Sequence, residues 1–288
     1  MNSEDIVEIK PSIGPFTFNV RAFWRRLIGK RGTDPEIDPV SIVAKRFIKI
    51  FEDHGVAVSQ IPRLIPQVSL DKLQNPAALL PVLTPGVLEK TADLFKIRRT
   101  WLEGIGDQIY DCLWCYKDPE RFFEELSTLK IERVNYPIVA FCCTQTLDKN
   151  DGRLQPIVIV FKEKLFDLDD EEIYRYRIFD DGWHWDYWKC RIQLKAMARI
   201  VDQVLGLRVP LYLVESEILF EIESGYHVPR VWLKGNRPLH DISLEDFALS
   251  PQESAVSKES EEIPVVLEYI QKHKLEHVAQ KELRNIKL

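Results

Sequence analysis

Two apolar, β-branched runs lie close together, at residues 136–146 and 155–162, with Asp148-Lys149-Asn150-Asp151-Gly152 between them. Valine, isoleucine and phenylalanine at this density suit the pleated surface of a sheet, and an Asn-Asp-Gly cluster reverses the chain. The pair reads as a β-hairpin, which cannot stand alone in water and has to be extended and covered. Residues 173–179 alternate in hydropathy and supply another strand. Cys190, Leu194, Met197, Ala198, Val201 and Leu205 then share one side of a helix over 188–205, and 209–214 read as a strand after it. The implied back domain, residues 131–247, is α+β: a small antiparallel sheet under a long helix, suited to sensing or dimerisation. Residues 248–262 are Ser/Glu-rich and read as a mobile linker. Residues 263–283 read as one amphipathic helix with a basic end, so 248–288 make a linker and C-terminal helix.

Ahead of the hairpin the texture is different. Val40, Val43, Ala44, Phe47, Ile48 and Phe51 repeat at helical spacing until Gly55 stops the run. Ser59 and Ser69 are placed as N-caps of a second and third helix, the third burying Leu70 and Leu73. Pro62 is tolerated because a first-turn N–H has no partner to lose. Pro76 begins a fourth helix. Thr84-Pro85 gives a cap followed by proline at the first helical position, with Leu88, Ala92 and Phe95 inward. A further helical stretch runs from about 112 to 129. Residues 40–130 therefore read as an all-α domain and 1–39 as a leader. The leader's ordered piece is a basic amphipathic helix, with Val20, Phe23, Trp24 and Leu27 on one face. It suits docking on the protein's own core, a nucleic-acid arm or a membrane-surface helix.

The composition sets outer bounds. In 288 residues, 45% are hydrophobic and 29% charged, a balance that supports a buried core rather than disorder. No stretch approaches the roughly 18 apolar residues of a membrane span, and the first residues carry no apolar signal segment. Five cysteines, an odd number without a disulfide pattern, fit a reducing cytoplasm. The net charge of −6 is unevenly spread: residues 1–40 balance, 41–110 carry +2 and 111–288 carry −8. That argues against indiscriminate coating of nucleic acid, and it leaves an acidic back half able to meet a protein partner.

One resemblance is carried by residues 41–106. Arg46 to Gly55, then Ser59-Gln60-Ile61-Pro62, then Leu83 to Ile97 and Trp101-Leu102-Glu103-Gly104 resemble the Cro/CI (lambda-repressor-like) helix-turn-helix family of bacterial regulators. In that family a first helix ends at glycine, a Ser-Gln pair opens the second, and a late Leu–Ala–Leu helix precedes an apolar-Leu-Gly turn. Here Pro62 and Pro66 flank helix two, and Asp71 stands in the recognition segment. The resemblance implies a lambda-repressor-like fold and DNA as a partner. Ser59 and Gln60 would hold a phosphate at a helix N-terminus. Lys72, Gln74 and Asn75 would reach base edges, and Arg63, Arg98 and Arg99 would contact phosphates. In a homodimer, two such helices would sit about one DNA turn, ~34 Å, apart.

Two further groupings carry chemistry. Cys112-Leu-Trp-Cys115 is a CxxC pair without the second pair or histidines that zinc needs, and without the βαβ setting of a redox motif. Packing of both thiols as small hydrophobes is the simplest reading. Asp180 to Trp188 packs aromatic, histidine and aspartate side chains together. Trp183, His184, Trp185, Asp186 and Trp188 could wall a ligand pocket, build a structural corner, or place His184 beside Asp186 for acid–base work. No phosphate-cradling loop, GxSxG or HExxH occurs. The expectation is a non-enzymatic, cofactor-free transcriptional regulator with an effector-binding or dimerisation domain. The alternative is an interaction protein in which the helix-turn-helix-like module no longer binds DNA.

Overall fold

A computed structural model describes residues 39–131, 136–234, 238–239, 242–254 and 256–284. The leader helix expected near residue 20 lies outside them. The helices in chain order are α1 (Pro39–Asp53), α2 (Ile61–Leu64), α3 (Pro76–Leu79), α4 (Pro85–Phe95), α5 (Arg99–Leu102) and α6 (Pro119–Ser127). After the first strands come α7 (Trp188–Leu205), α8 (Ser216–Glu223), α9 (Arg230–Leu233), α10 (Ile263–His273) and α11 (Leu275–Leu283). The strands are β1 (Ile138–Cys142), β2 (Pro156–Leu168), β3 (Glu171–Ile178), β4 (Trp183–His184) and β5 (Leu211–Leu213), and the chain is a mixture of helix with this one small sheet.

The hairpin forms as its residues demand. β1 and β2 pair antiparallel with Ala140 opposite Ile159, and β2 and β3 pair antiparallel with Lys162 opposite Tyr176. The strand order is β3-β2-β1-β5, with β4 also on β2. The sheet is not purely antiparallel, which corrects the expectation. β5 runs parallel to β1, with Ala140 opposite Leu211. β4 is antiparallel to β2 and so runs the same way as β1. α7 between β4 and β5 thus makes a crossover that returns the chain in the parallel sense.

Both faces of the sheet are covered, which explains why β1 is buried at every position and does not alternate. Ile138, Ala140, Ile157, Ile159 and Phe161 pack against α6, α7, α10 and α11. Val139, Phe141, Val158, Val160, Tyr174 and Tyr176 pack against α1, α4, α5 and α8. The two core clusters lie on opposite faces of the sheet. α6, grouped by sequence with the front helices, belongs to the opposite face from them.

Caps read from sequence hold at some helices and fail at others. Thr84 accepts from the Val87 N–H, Asp118 from Arg121, and α4 stops where Lys96 turns left-handed at φ 55°. Ser59 does not cap; instead Gln60 Oε1 accepts from the Ala57 N–H at 2.9 Å. The helix expected from Ser69 is only a short 3-10 turn over Lys72–Gln74, and Leu70 is 58% exposed. The Ser69 hydroxyl donates to the Asp71 carboxylate, and the 3-10 turn that follows begins only at Lys72.

The C-terminal segment departs from expectation twice. Lys274 adopts φ 51°, so the last helix breaks into α10 and α11, and α11 turns to lie on α6 and α7. The segment expected to be a mobile linker is fastened down. Arg191, Lys195 and Arg199 stand one helical turn apart on α7. Arg191 pairs with Glu262 at 2.7 Å, Lys195 with Glu259 and Glu262 at 2.6 Å each, and Arg199 with Glu253 at 2.6 Å. Lys195 is wholly buried.

Candidate functional site

The expected DNA-contacting side chains are mostly engaged within the chain. Gln60 Nε2 and Arg63 Nη1 both donate to the Asp169 carboxylate at the β2–β3 turn, at 2.7 and 2.9 Å. Lys72 pairs with its neighbour Asp71, and Asn75 Oδ1 accepts from Ala78 N–H as the cap of α3. Arg98 bonds Gln108 and Asp111, and Arg99 bonds Glu89 and Glu103. Ser59 and Gln74 are exposed. Lys72, Gln74 and Asn75, expected on a recognition helix, lie instead on a 3-10 turn over Lys72–Gln74 and at the cap of α3.

The aromatic stretch at 180–188 divides between core and surface. Trp183 and Trp185 are fully buried; the Trp185 ring meets Phe247 edge-on at 4.9 Å, with the Lys195 ammonium 5.4 Å from its centre. Asp186 Oδ1 accepts the Gln155 N–H at 3.0 Å and so ties the start of β2. His184 sits in β4, opposite Pro156. These four therefore build the β-to-α corner. Trp188 is different: at the first position of α7 it is 54% exposed.

Trp188 lines a groove of about 450 Å³ with residues from two other segments. Lys189, Ile192 and Gln193 follow it on α7. Tyr116 and Lys117 come from the loop before α6. Val265, Glu268, Tyr269, Lys272 and His273 come from α10. Four rings line it: Tyr269 lies 4.3 Å from His273, and Lys117 and Lys189 lie over Tyr116 and Trp188 at 5.0 and 5.5 Å. Burial pushes the hydroxyls of Tyr116 and Tyr269 up to about 12, so both stay protonated donors. The volume is that of a small-ligand site.

One wall of the groove is held rigidly. Asp181 Oδ1 accepts the Cys115 and Tyr116 N–H groups at 2.7 and 2.6 Å. From the other side Gln193 accepts the Lys117 N–H at 3.1 Å and donates to the Cys115 carbonyl at 3.0 Å. Burial raises the Asp181 carboxyl against the effect of these bonds. The loop carrying Tyr116 and Lys117 is thereby set before any ligand arrives.

Of the five residues expected to wall a pocket only Trp188 lines this groove, and the other lining residues were not singled out from the sequence. The signal was faint: Val265, Glu268, Tyr269 and Lys272 recur at helical spacing on a face of α10 other than its buried one. Nothing in the sequence says which segment that face meets.

The CxxC thiols point to different places. Cys112 packs on the cluster of the front helices and donates to the Glu223 carbonyl at 3.3 Å, while Cys115 lies in the opposite cluster beside Asp181. Burial raises both thiols, Cys112 to about 11. Among the described residues all five cysteines are free, and no group of three or more metal-ligating side chains gathers. No described helix is long and apolar enough to cross a membrane. A second, more open hollow of about 390 Å³ is lined by Lys162, Arg230 and Lys234 facing Asp170, Glu171 and Glu172. Its charges balance, and Glu171 takes both Arg230 and Lys234.

No protein-family model, curated protein or solved structure matches the chain.

Proposed function

We propose that this chain is a non-enzymatic binding protein whose working surface is the aromatic groove between α7, α10 and the loop at 115–117, with residues 39–110 serving as a structural layer on the sheet. The observation that carries the reading is the preformed groove, walled by Tyr116, Trp188 and Tyr269 and held open by Asp181 and Gln193. The internal engagement of Gln60, Arg63, Asn75, Arg98 and Arg99 supports it, because each would have to leave a partner before reaching DNA. The competing reading is a DNA-binding regulator with the same groove as effector site.

Two measurements separate them. The purified protein, and a Lys72→Ala, Gln74→Ala double variant, are tested for retention on mixed genomic DNA at two salt concentrations. No retention at low salt is expected. Salt-sensitive retention that the double variant loses would restore the regulator, since phosphate neutralisation makes affinity fall steeply with salt. In parallel, the low-molecular-mass fraction of a cell extract is expected to raise the melting temperature of the protein but not of Trp188→Ala. An equal rise in both, or none, would refute the groove as the working surface.

A further inference from the structure

The groove's charge and shape select among ligands. Three lysines, Lys117, Lys189 and Lys272, line it against one carboxylate, Glu268. This local excess of positive charge sits in the part of the chain that carries −8 overall. It also lies at the N-terminus of α7, an 18-residue helix whose first turn has no side-chain cap and whose dipole favours an anion. The rings set the second requirement. Trp188 is left half exposed on a wall shared with Tyr116 and Tyr269, and flat faces of this kind bind flat ligands by stacking. Glu268 sets the third: a lone carboxylate among lysines repels a simple anion but accepts hydrogen bonds from a ring amine.

From these features we propose that the groove takes a planar, amine-bearing heteroaromatic ring with an attached phosphate, the chemistry of a nucleoside phosphate. The proposal rests on the groove being the working surface. The ring stacks on Trp188, its amine donates to Glu268, and the phosphate lies among the lysines near the start of α7. A peptide rich in acidic residues would satisfy the lysines but would leave the aromatic wall without a flat partner. A neutral aromatic would stack on the rings but bring no anion to the lysines.

The test is calorimetric titration of the full chain with adenosine monophosphate, adenosine, phenyl phosphate and inorganic phosphate. Adenosine monophosphate is expected to bind at least about tenfold more tightly than any of the other three, with affinity falling as salt rises. Trp188→Ala, at an exposed position, is expected to weaken it about tenfold or more, the loss of one stacking partner. Glu268→Ala is expected to remove the advantage over phenyl phosphate while leaving phenyl phosphate affinity unchanged or improved. Lys72→Ala, outside the groove, is expected to change nothing. Binding of inorganic phosphate as tight as the nucleotide, or nucleotide binding indifferent to Trp188→Ala in a variant of native circular dichroism, would overturn the proposal. If nucleotides fail while the Trp188-dependent extract effect persists, the ligand class is wrong and the groove's role stands.

Discussion

His54 shows how a single side chain is fixed by its surroundings. It is fully buried, stacked on Phe95 with ring centres 4.1 Å apart, and its Nδ1 meets the Ile50 carbonyl at 2.8 Å. A carbonyl only accepts, so Nδ1 carries the proton and Nε2 accepts from the Tyr110 hydroxyl at 3.1 Å. Burial pushes its pKa down to about 3; the Ile50 bond opposes this and the nearby Arg230 charge adds to it. The unfolded chain binds a proton here below about pH 6.5 and the folded one does not. Stability from this group is therefore complete above pH 6.5 and drains away as pH falls toward 3. Urea midpoints measured from pH 7 to pH 4 should fall less steeply for His54→Phe than for the wild type; equal slopes would contradict this account. The next residue is constrained by geometry. Gly55 has φ +89°, and a Cβ there would run into the Arg230 guanidinium, which bonds Glu171. Gly55→Ala should cost about 1–3 kcal/mol in thermal denaturation, the strain of a left-handed non-glycine residue plus a displaced arginine.

At the scale of elements, α7 acts as the spine to which the C-terminal segment is fastened. Its three cations meet Glu253, Glu259 and Glu262, and without them the glutamates would have no reason to lie along a helix. Lys195→Ala leaves two carboxylates beside an empty buried site, so a loss of about 3–5 kcal/mol is expected by chemical denaturation. A loss under about 1 kcal/mol would show that the pair is wetter than its burial implies. The acid response has its own window. Burial alone would raise Glu262, but Arg191 and Lys195 outweigh it and hold the group at about 2; Arg199 holds Glu253 at about 2 as well. Both lie below the ordinary 4.5, so their contribution is present above pH 4.5 and is lost as pH falls from 4.5 to 2. Protection of the α10 amides, corrected for the intrinsic exchange rate at each pH, should therefore fall below pH 4.5 ahead of that in β1 and β2. Simultaneous loss of protection in α10 and the sheet would argue that the fastening is not separable.

At the scale of the whole molecule, the sheet is the shared middle layer. Val139, Phe141, Val158, Val160, Tyr174 and Tyr176 face α1, α4 and α5 as well as α8, so a fragment of residues 111–284, which keeps only α8 of these, would present much of this face to water. An exposed apolar face of this extent drives association. The fragment is expected to aggregate or to bind a hydrophobic dye strongly, and the full chain to unfold in one transition. A monomeric fragment with native near-UV circular dichroism would show that residues 39–110 are a detachable domain after all.

What the sequence determined by itself is local. The hairpin, the strand at 173–179, the helix from Trp188 to Leu205 and the Thr84 cap follow from hydropathy period, turn chemistry and capping, each set within a few residues. The 69–75 segment misled for the same reason: a serine before apolar residues signals a cap, but only a 3-10 turn over Lys72–Gln74 follows it. Tertiary structure alone decided the rest. The parallel pairing of β5 with β1 and the fastening of Glu253, Glu259 and Glu262 depend on partners far along the chain. The groove is of this kind too. Tyr116, Trp188 and Tyr269 are some 70 to 80 positions apart, and only the docking of α10 on α7 beside the loop at 115–117 brings their segments around one hollow.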